Sequence, residues 1–172
     1  MALTHKLIAS STVGSGGAAN IDFTSIPATY TDLVVLLSAR GTENQVYNSM
    51  KLQFNNATAN YSSKEIYGSG SAAASVSRGT TDSGLYIGNV NGNTSTSNSF
   101  SNFSIYVPNY AESNYKSVSV DAVQENNATE AYAQFTAGLW SDTSAITSIK
   151  FSWSTTTIMQ YSTAYLYGIK NS

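Results

Sequence analysis

Between Asn98 and Val123 the chain carries two runs in which apolar and small polar residues alternate. Phe103, Ile105 and Val107 mark the first, Val118, Val120 and Ala122 the second. A side-chain period of two belongs to a strand with one face in a core and the other in water or against a partner. Pro108, Asn109 and Tyr110 interrupt the pattern, as a strand end followed by a corner would. The two runs are therefore expected to form the central pair of an antiparallel sheet, with the rest of the chain laid down around it.

The same rule extends along the sequence. Leu3 to Ser10 reads as a strand, Val13 to Gly17 as a flexible turn, and Ala18 to Phe23 as a second strand ended by Ile26 and Pro27. Leu33 to Leu37 is an unbroken aliphatic run, which fits a strand buried on both faces or a short helix. Its length and the Val34–Val35 pair favour the strand. Met50, Leu52 and Phe54 alternate over 49–54. Residues 69–80 are small and rich in Ser and Ala, and read as a loop. Leu85 to Val90 is a strand before the Asn91-Gly92 turn. After a turn at Gln124 to Asn127, Ala131, Ala133, Phe135, Ala137 and Leu139 share one face, by the same rule the inward one. Ile149, Phe151 and Trp153 are in phase, and 164–170 sets Tyr165, Tyr167 and Ile169 against Ala164, Leu166 and Gly168. About ten short strands with turn signals between them, and no sustained helical period, predict an all-β fold: an antiparallel β-sandwich, most simply a jelly roll. No repeat, linker or composition shift divides residues 1–172, so a single β-sandwich domain is expected.

A chain of 172 residues buries roughly 70% of its unfolded surface without staples, and it has no Cys to make any. Charged residues are only 10% of the chain, 8 basic against 10 acidic, with a net charge of -2. That leaves no basic stripe for nucleic acid. A surface built on Ser, Thr, Asn, Gly and Tyr is unusual for a free monomer and suits broad, hydrogen-bonded contact with protein or carbohydrate. No stretch approaches the ~20 apolar residues of a membrane span, and Leu7-Ile8-Ala9 is too short for a secretory leader. The expectation is a chain made in a cytoplasm that stays there or joins an assembly there.

Candidate chemistry is sparse. His5 is the one histidine, and a Ser-His-Asp triad would need it beside a Ser and a buried Asp; an exposed strand position explains it as well. Asp121, Glu125 and Glu130 cluster around a turn with Asn126 and Asn127, but without the spaced acidic pattern of a Ca²⁺ loop. Five N-x-Ser/Thr triplets, at Asn56, Asn60, Asn93, Asn102 and Asn127, follow from the abundance of those residues. The glycines of 14–17 and 66–71 lack the Lys of a phosphate loop. No catalytic residue, cofactor or metal is expected. The 12 tyrosines are more informative. Tyr61, Tyr67, Tyr106, Tyr110 and Tyr115 stand in or beside polar stretches, where an apolar ring with a polar tip suits an interface; the alternative is that they are half-buried at sheet ends.

Residues 7–40 (LIASSTVGSGGAANIDFTSIPATYTDLVVLLSAR), 105–132, 138–149 (GLWSDTSAITSI) and 161–170 (YSTAYLYGIK) resemble a family of small β-rich virion proteins of tailed bacteriophages, marine and cyanobacterial phages among them. The resemblance covers about half of the chain and brings no catalytic motif with it. It implies a non-enzymatic structural role in the particle, on the capsid surface or in the tail, after assembly in the host cytoplasm. One compact domain without a fibrous stem favours a capsid decoration (cement) protein that binds the major capsid protein as a homo-oligomer, most simply a homotrimer at three-fold positions. The alternative is a tail-associated receptor- or carbohydrate-binding module, and only that reading brings in a sugar.

Overall fold

The computed structural model describes residues 4–127, 130–153 and 157–170; Leu3 of the first expected strand and Ala128 and Thr129 of the last N-x-Thr triplet lie outside them. Among the described residues there are twelve strands and no helix: β1 (Thr4–Thr12), β2 (Asn20–Phe23), β3 (Asp32–Ala39), β4 (Tyr47–Phe54), β5 (Tyr61–Gly68), β6 (Ala73–Asp82), β7 (Leu85–Asn91), β8 (Ser101–Val107), β9 (Lys116–Gln124), β10 (Tyr132–Trp140), β11 (Ile149–Ser152) and β12 (Thr163–Lys170). They make an eight-stranded sheet, β1-β12-β3-β8-β9-β10-β5-β6, and a four-stranded one, β2-β11-β4-β7. From β1 to β5 every neighbour in the large sheet is antiparallel. β8 and β9 lie at its middle, with Ile105 opposite Val120.

The chain's two flanks travel together. β1 pairs with β12 in one sheet and β2 with β11 in the other, so the pair crosses between layers as one unit. That is the wrapped course of a jelly roll, and the protein is an all-β sandwich of this type.

Between the layers lie Leu33, Val35, Leu37, Phe103, Ile105, Val118, Val120 and Leu166 from the large sheet, and Met50, Leu52, Phe54, Ile87, Ile149 and Phe151 from the small one. Two glycines set how closely the sheets approach. A Cβ on Gly88, whose φ is +126°, would stand 2.8 Å from the Ala122 Cβ; one on Gly138 would stand 2.6 Å from Leu85 Cδ2. Both distances are below any real contact, so β7 sits directly on β9 and β10 only because side chains are missing there.

Four expectations need correction. The aliphatic run in β3 is buried on one face: Leu33, Val35 and Leu37 point in, while Val34 is half-buried and Leu36 is exposed. Most of residues 69–80, read as loop, belongs to strand β6 (Ala73–Asp82) at the sheet edge, where small polar residues suffice because little is packed against them. β10 is inverted. Its inward residues are Gln134, Thr136, Gly138 and Trp140, and Ala133, Phe135 and Ala137 face out, with Leu139 half-buried. Tyr61 and Tyr110, read as interface residues, are fully buried. The Tyr61 hydroxyl accepts the Phe54 N–H at 2.8 Å and its ring stacks on Trp140 with centroids 6.2 Å apart. The Tyr110 hydroxyl donates to the Pro27 carbonyl and accepts the Tyr30 N–H at 3.4 Å. Each hydroxyl has its partners inside the fold, which removes the polar reason for surfacing.

Truncation of Phe103 or Phe151 to Ala, both fully buried, is expected to cost about 3–5 kcal/mol through the cavity left behind. Ser104→Ala on the opposite face of β8 should stay within about 0.5 kcal/mol. Urea melts read both, and equal midpoints for Phe151→Ala and the parent would overturn the facing of β11. Burial holds the Tyr61 hydroxyl up at about 12, against an ordinary 10.0. The folded chain therefore keeps a proton that the unfolded chain releases above pH 10, and the stability this gives below that pH is lost as pH climbs towards 12. Thermal melts across that window should fall more gently for Tyr61→Phe, which has no proton to lose, than for the parent.

Candidate interaction face

The outer side of the eight-stranded sheet is a face that no other part of the described chain covers. Cross-strand pairing arranges it in rows. One runs Leu7, Tyr167, Val34, Tyr106, Ser119, Ala137, Lys64; the next Ser10, Tyr165, Leu36, Ser104, Asp121, Phe135, Ile66. A third runs Thr12, Thr163, Ser38, Asn102, Val123, Ala133, Gly68. Large apolar side chains are exposed at both flanks of this face, Leu7, Leu36 and Tyr165 on one, Val123, Phe135 and Ile66 on the other, with Phe135 at 47% and Ile66 at 60%. Small polar residues of β8 and β9 fill the middle. Asp121 and Lys64 are the exposed charges in these rows.

Phe135 and Ile66 pair directly across β10 and β5, and with Ala133, Ala73, Ala74 and Asp121 they line a groove of about 660 Å³. Their exposure follows from what lies behind them. Gln134 points inward and donates to Glu65 Oε1 and, at 2.9 Å, to the Tyr86 hydroxyl, while its own oxygen accepts the Asn89 N–H at 2.7 Å. Tyr86 donates to Asn89 Oδ1 at 2.9 Å. Arg78 of β6 closes the group, 3.6 Å from Glu65 and 4.0 Å above the Tyr86 ring. Burial first, then the Glu65 charge, drives the Tyr86 hydroxyl far above its ordinary value, so it stays a donor.

The loops around the face are fixed by two buried cations. Arg40 donates to the carbonyls of Thr96 (2.7 Å), Ser99 (2.8 Å), Ser95 (2.9 Å) and Asn93 (3.3 Å), gripping the segment between β7 and β8. Lys116 donates to the carbonyls of Glu112 (2.7 Å), Asn114 and Thr143 (3.5 Å) and ties the β8–β9 corner to the β10–β11 connection. Burial lowers the pKa of both groups.

The sequence-derived candidates do not assemble into one site. Tyr106 lies on the outer face, 38% exposed, and its hydroxyl donates to Asp32 at 2.9 Å. Tyr115 is exposed in the corner before β9, and Tyr67 is half-buried at the end of β5. Tyr61 and Tyr110 belong to the core. His5 is exposed on β1 with its ring 6.4 Å from that of Tyr167. Asp121 points outward beside Phe135, whereas Glu125 accepts the N–H groups of Asn126 (2.9 Å) and Asn127 (2.7 Å) and so shapes its own turn. Among the described residues no three His, Cys, Asp or Glu side chains converge as metal ligands would. Phe135, Ile66 and Leu36 were passed over in the sequence because apolar residues in strands read as core. No local signal marks Phe135 as outward: Gln134 and Thr136, on the opposite face of β10, read as the solvent side, and what draws Gln134 inward is its contact with Glu65 and Tyr86.

No family model matches the chain and no curated protein matches it. Among solved structures it is similar to the crystal structure of the Caenorhabditis elegans galectin LEC-6, at 9% identity over 94% of this chain and 96% of that one, with a TM-score of 0.33. No residue role is carried over from it.

Proposed function

We propose that the protein is a non-enzymatic structural component of a tailed-phage particle, a decoration protein that binds the capsid shell through the outer face of its eight-stranded sheet. The observation that carries this reading is the face itself, with solvent-exposed Leu36, Phe135 and Ile66 on a surface almost free of charge. Seven strands ~4.8 Å apart, each offering about three outward residues, make it roughly 30 by 20 Å, about 600 Å², at the lower end of the ~600–1,000 Å² that one partner gives to a standard interface. Apolar side chains at both flanks bury on contact, and the Ser and Tyr hydroxyls between them supply hydrogen bonds to the shell subunit. The resemblance of residues 7–40, 105–132, 138–149 and 161–170 to phage virion proteins supports the same reading. A homotrimer on a three-fold position of the shell, bound to the major capsid protein, would repeat this contact three times and resist outward pressure across subunit joints.

Two measurements test it. Gel densitometry of purified particles should show a band comparable with that of the major shell protein; a handful of copies per particle would overturn the reading and assign the chain to the tail. Added back to shells that lack it, the parent should bind and raise their melting temperature. Phe135→Thr with Ile66→Thr, both at exposed strand positions and adding no charge beside Asp121, should leave the protein's own melt nearly unchanged and abolish binding. Full binding by that variant would overturn the docking face.

A further inference from the structure

The four-stranded sheet ends in a feature that docking through the large sheet does not use. Tyr47 at the start of β4, Tyr132 at the start of β10 and Tyr67 near the end of β5 meet edge to face. The ring centroids lie 4.9 Å apart for Tyr47 and Tyr132 and 5.7 Å apart for Tyr67 and Tyr132. All three are half-buried and none belongs to the hydrophobic core. Beside Tyr47 runs a groove of about 490 Å³ with Glu43, Gln45, Asn48, Ser49 and Glu130 in its wall. That volume falls within the ~300–1,000 Å³ of small-ligand sites. A smaller groove of about 280 Å³ opens along Tyr132 and contains Glu125.

We propose that the groove beside Tyr47 binds a neutral pyranose sugar, with Glu43, Glu130 and Asn48 as its hydrogen-bonding groups and the Tyr47 ring as its aromatic wall. The lining decides the ligand's charge. Neither groove has a Lys, Arg or His in its wall, while carboxylates occur in both, so an anion is repelled. A bare metal ion does not fit, because the carboxylates do not converge as ligands and the amides of Asn48 and Gln45 present N–H donors that a cation cannot use. A sugar needs what is present: acceptors and donors side by side for its hydroxyls, next to aromatic carbon for its C–H face.

Asn48 is held ready for this. Its amide oxygen accepts the Ser49 N–H at 2.7 Å, which turns the NH₂ towards Glu43 Oε2 at 3.4 Å and the groove. Tyr132 donates to Glu130 Oε1 at 3.3 Å, positioning that carboxylate at the rim. Its contact with Tyr47, then burial and the nearby Glu130, keep the Tyr132 hydroxyl protonated well above ordinary tyrosine pH. The groove is built by β4, the segment before it and Glu130 ahead of β10, none of them in the rows of the outer face, so sugar binding and capsid docking stand or fall separately.

The test is a titration of the ¹⁵N-labelled protein with glucose, galactose, mannose and N-acetylglucosamine, with glucuronate and Ca²⁺ as controls, followed by amide chemical shifts. At least one neutral sugar should shift the amides of Tyr47, Asn48, Ser49 and Tyr132 saturably at millimolar concentrations, and glucuronate should bind about tenfold more weakly or not at all. Glu130→Gln and Asn48→Ala, surface changes that leave the core intact, should each weaken binding about tenfold. Tyr47→Ala, which removes the aromatic wall of the groove, should abolish it, with the melt recorded to separate lost fold from lost site. No saturable shift at these amides with any neutral sugar, or a response to Ca²⁺ alone, would overturn the proposal. Unaltered affinity in both Glu130→Gln and Asn48→Ala would do the same.

Discussion

A buried carboxylate and a buried phenol must find partners, and in this fold Glu65 and Tyr86 find one in Gln134, which faces inward. Its side chain joins Glu65, Tyr86 and the Asn89 backbone, from β5 and β7, in one hydrogen-bonded group. Turning β10 over would bury Phe135 and Leu139, which is favourable by about 1.5–3 kcal/mol for each large side chain. It would also strand a buried carboxylate, a phenol and an amide N–H, at about 1–3 kcal/mol for each neutral group and more for the charge. A side chain at position 138 has no room either, since Leu85 already occupies that space. The polar group and the missing Cβ together fix which side of β10 is inside, and with it the character of the outer face.

The core therefore changes chemistry across the large sheet. Around β3, β8 and β9 it is aliphatic and aromatic; under β10 and β5 it is a network of Gln, Glu, Tyr and Arg. The outer face does not follow this division: it is mostly small and polar over β8 and β9, with exposed apolar side chains on both flanks, Leu7, Tyr165 and Leu36 on one and Phe135 and Ile66 on the other. Arg40 and Lys116 hold the connections at the ends of these strands by carbonyl contacts. Because those cations are engaged internally, the face keeps few charges, and its contact with a partner depends on shape, hydroxyls and the two apolar flanks.

Much of this was legible in the sequence, and the failures share a cause. Period-two alternation marked the strands around Phe103, Val120, Leu52 and Phe151 with the right faces inward, because there apolar and buried coincide, and it separated the two faces around Leu166 without saying which is inside. In β10 the period was right and the polarity misleading: alternation separates two faces without saying which is inside, and only Glu65 and Tyr86, distant in sequence, decide it. The run Leu33 to Leu37 looked buried twice over because an exposed Leu36 on an uncovered sheet has no local signature. Residues 69–80 looked like loop because an edge strand rich in Ala, Ser and Gly carries no burial pattern. Tyr61 and Tyr110 stand in polar sequence yet pack inside, since their partners are the Phe54 and Pro27 backbones rather than neighbours in the chain. The trio Tyr47, Tyr67 and Tyr132 is brought together from three strands and has no sequence motif at all.

The pairing of β1 with β12 has a mechanical consequence. Thr4 stands opposite Lys170 and Thr12 opposite Thr163, so the first and last strands run antiparallel at the edge of the large sheet. Tension applied between Thr4 and Lys170 would reach the ladder at one end and open its hydrogen bonds singly, as a zip opens. Tension applied between Thr4 and Thr163, at opposite ends of the same pair, runs along both strands, meets the whole ladder at once and must shear many bonds together. The edge is thus weak when pulled at Thr4 and Lys170 and strong when the pull runs along its strands.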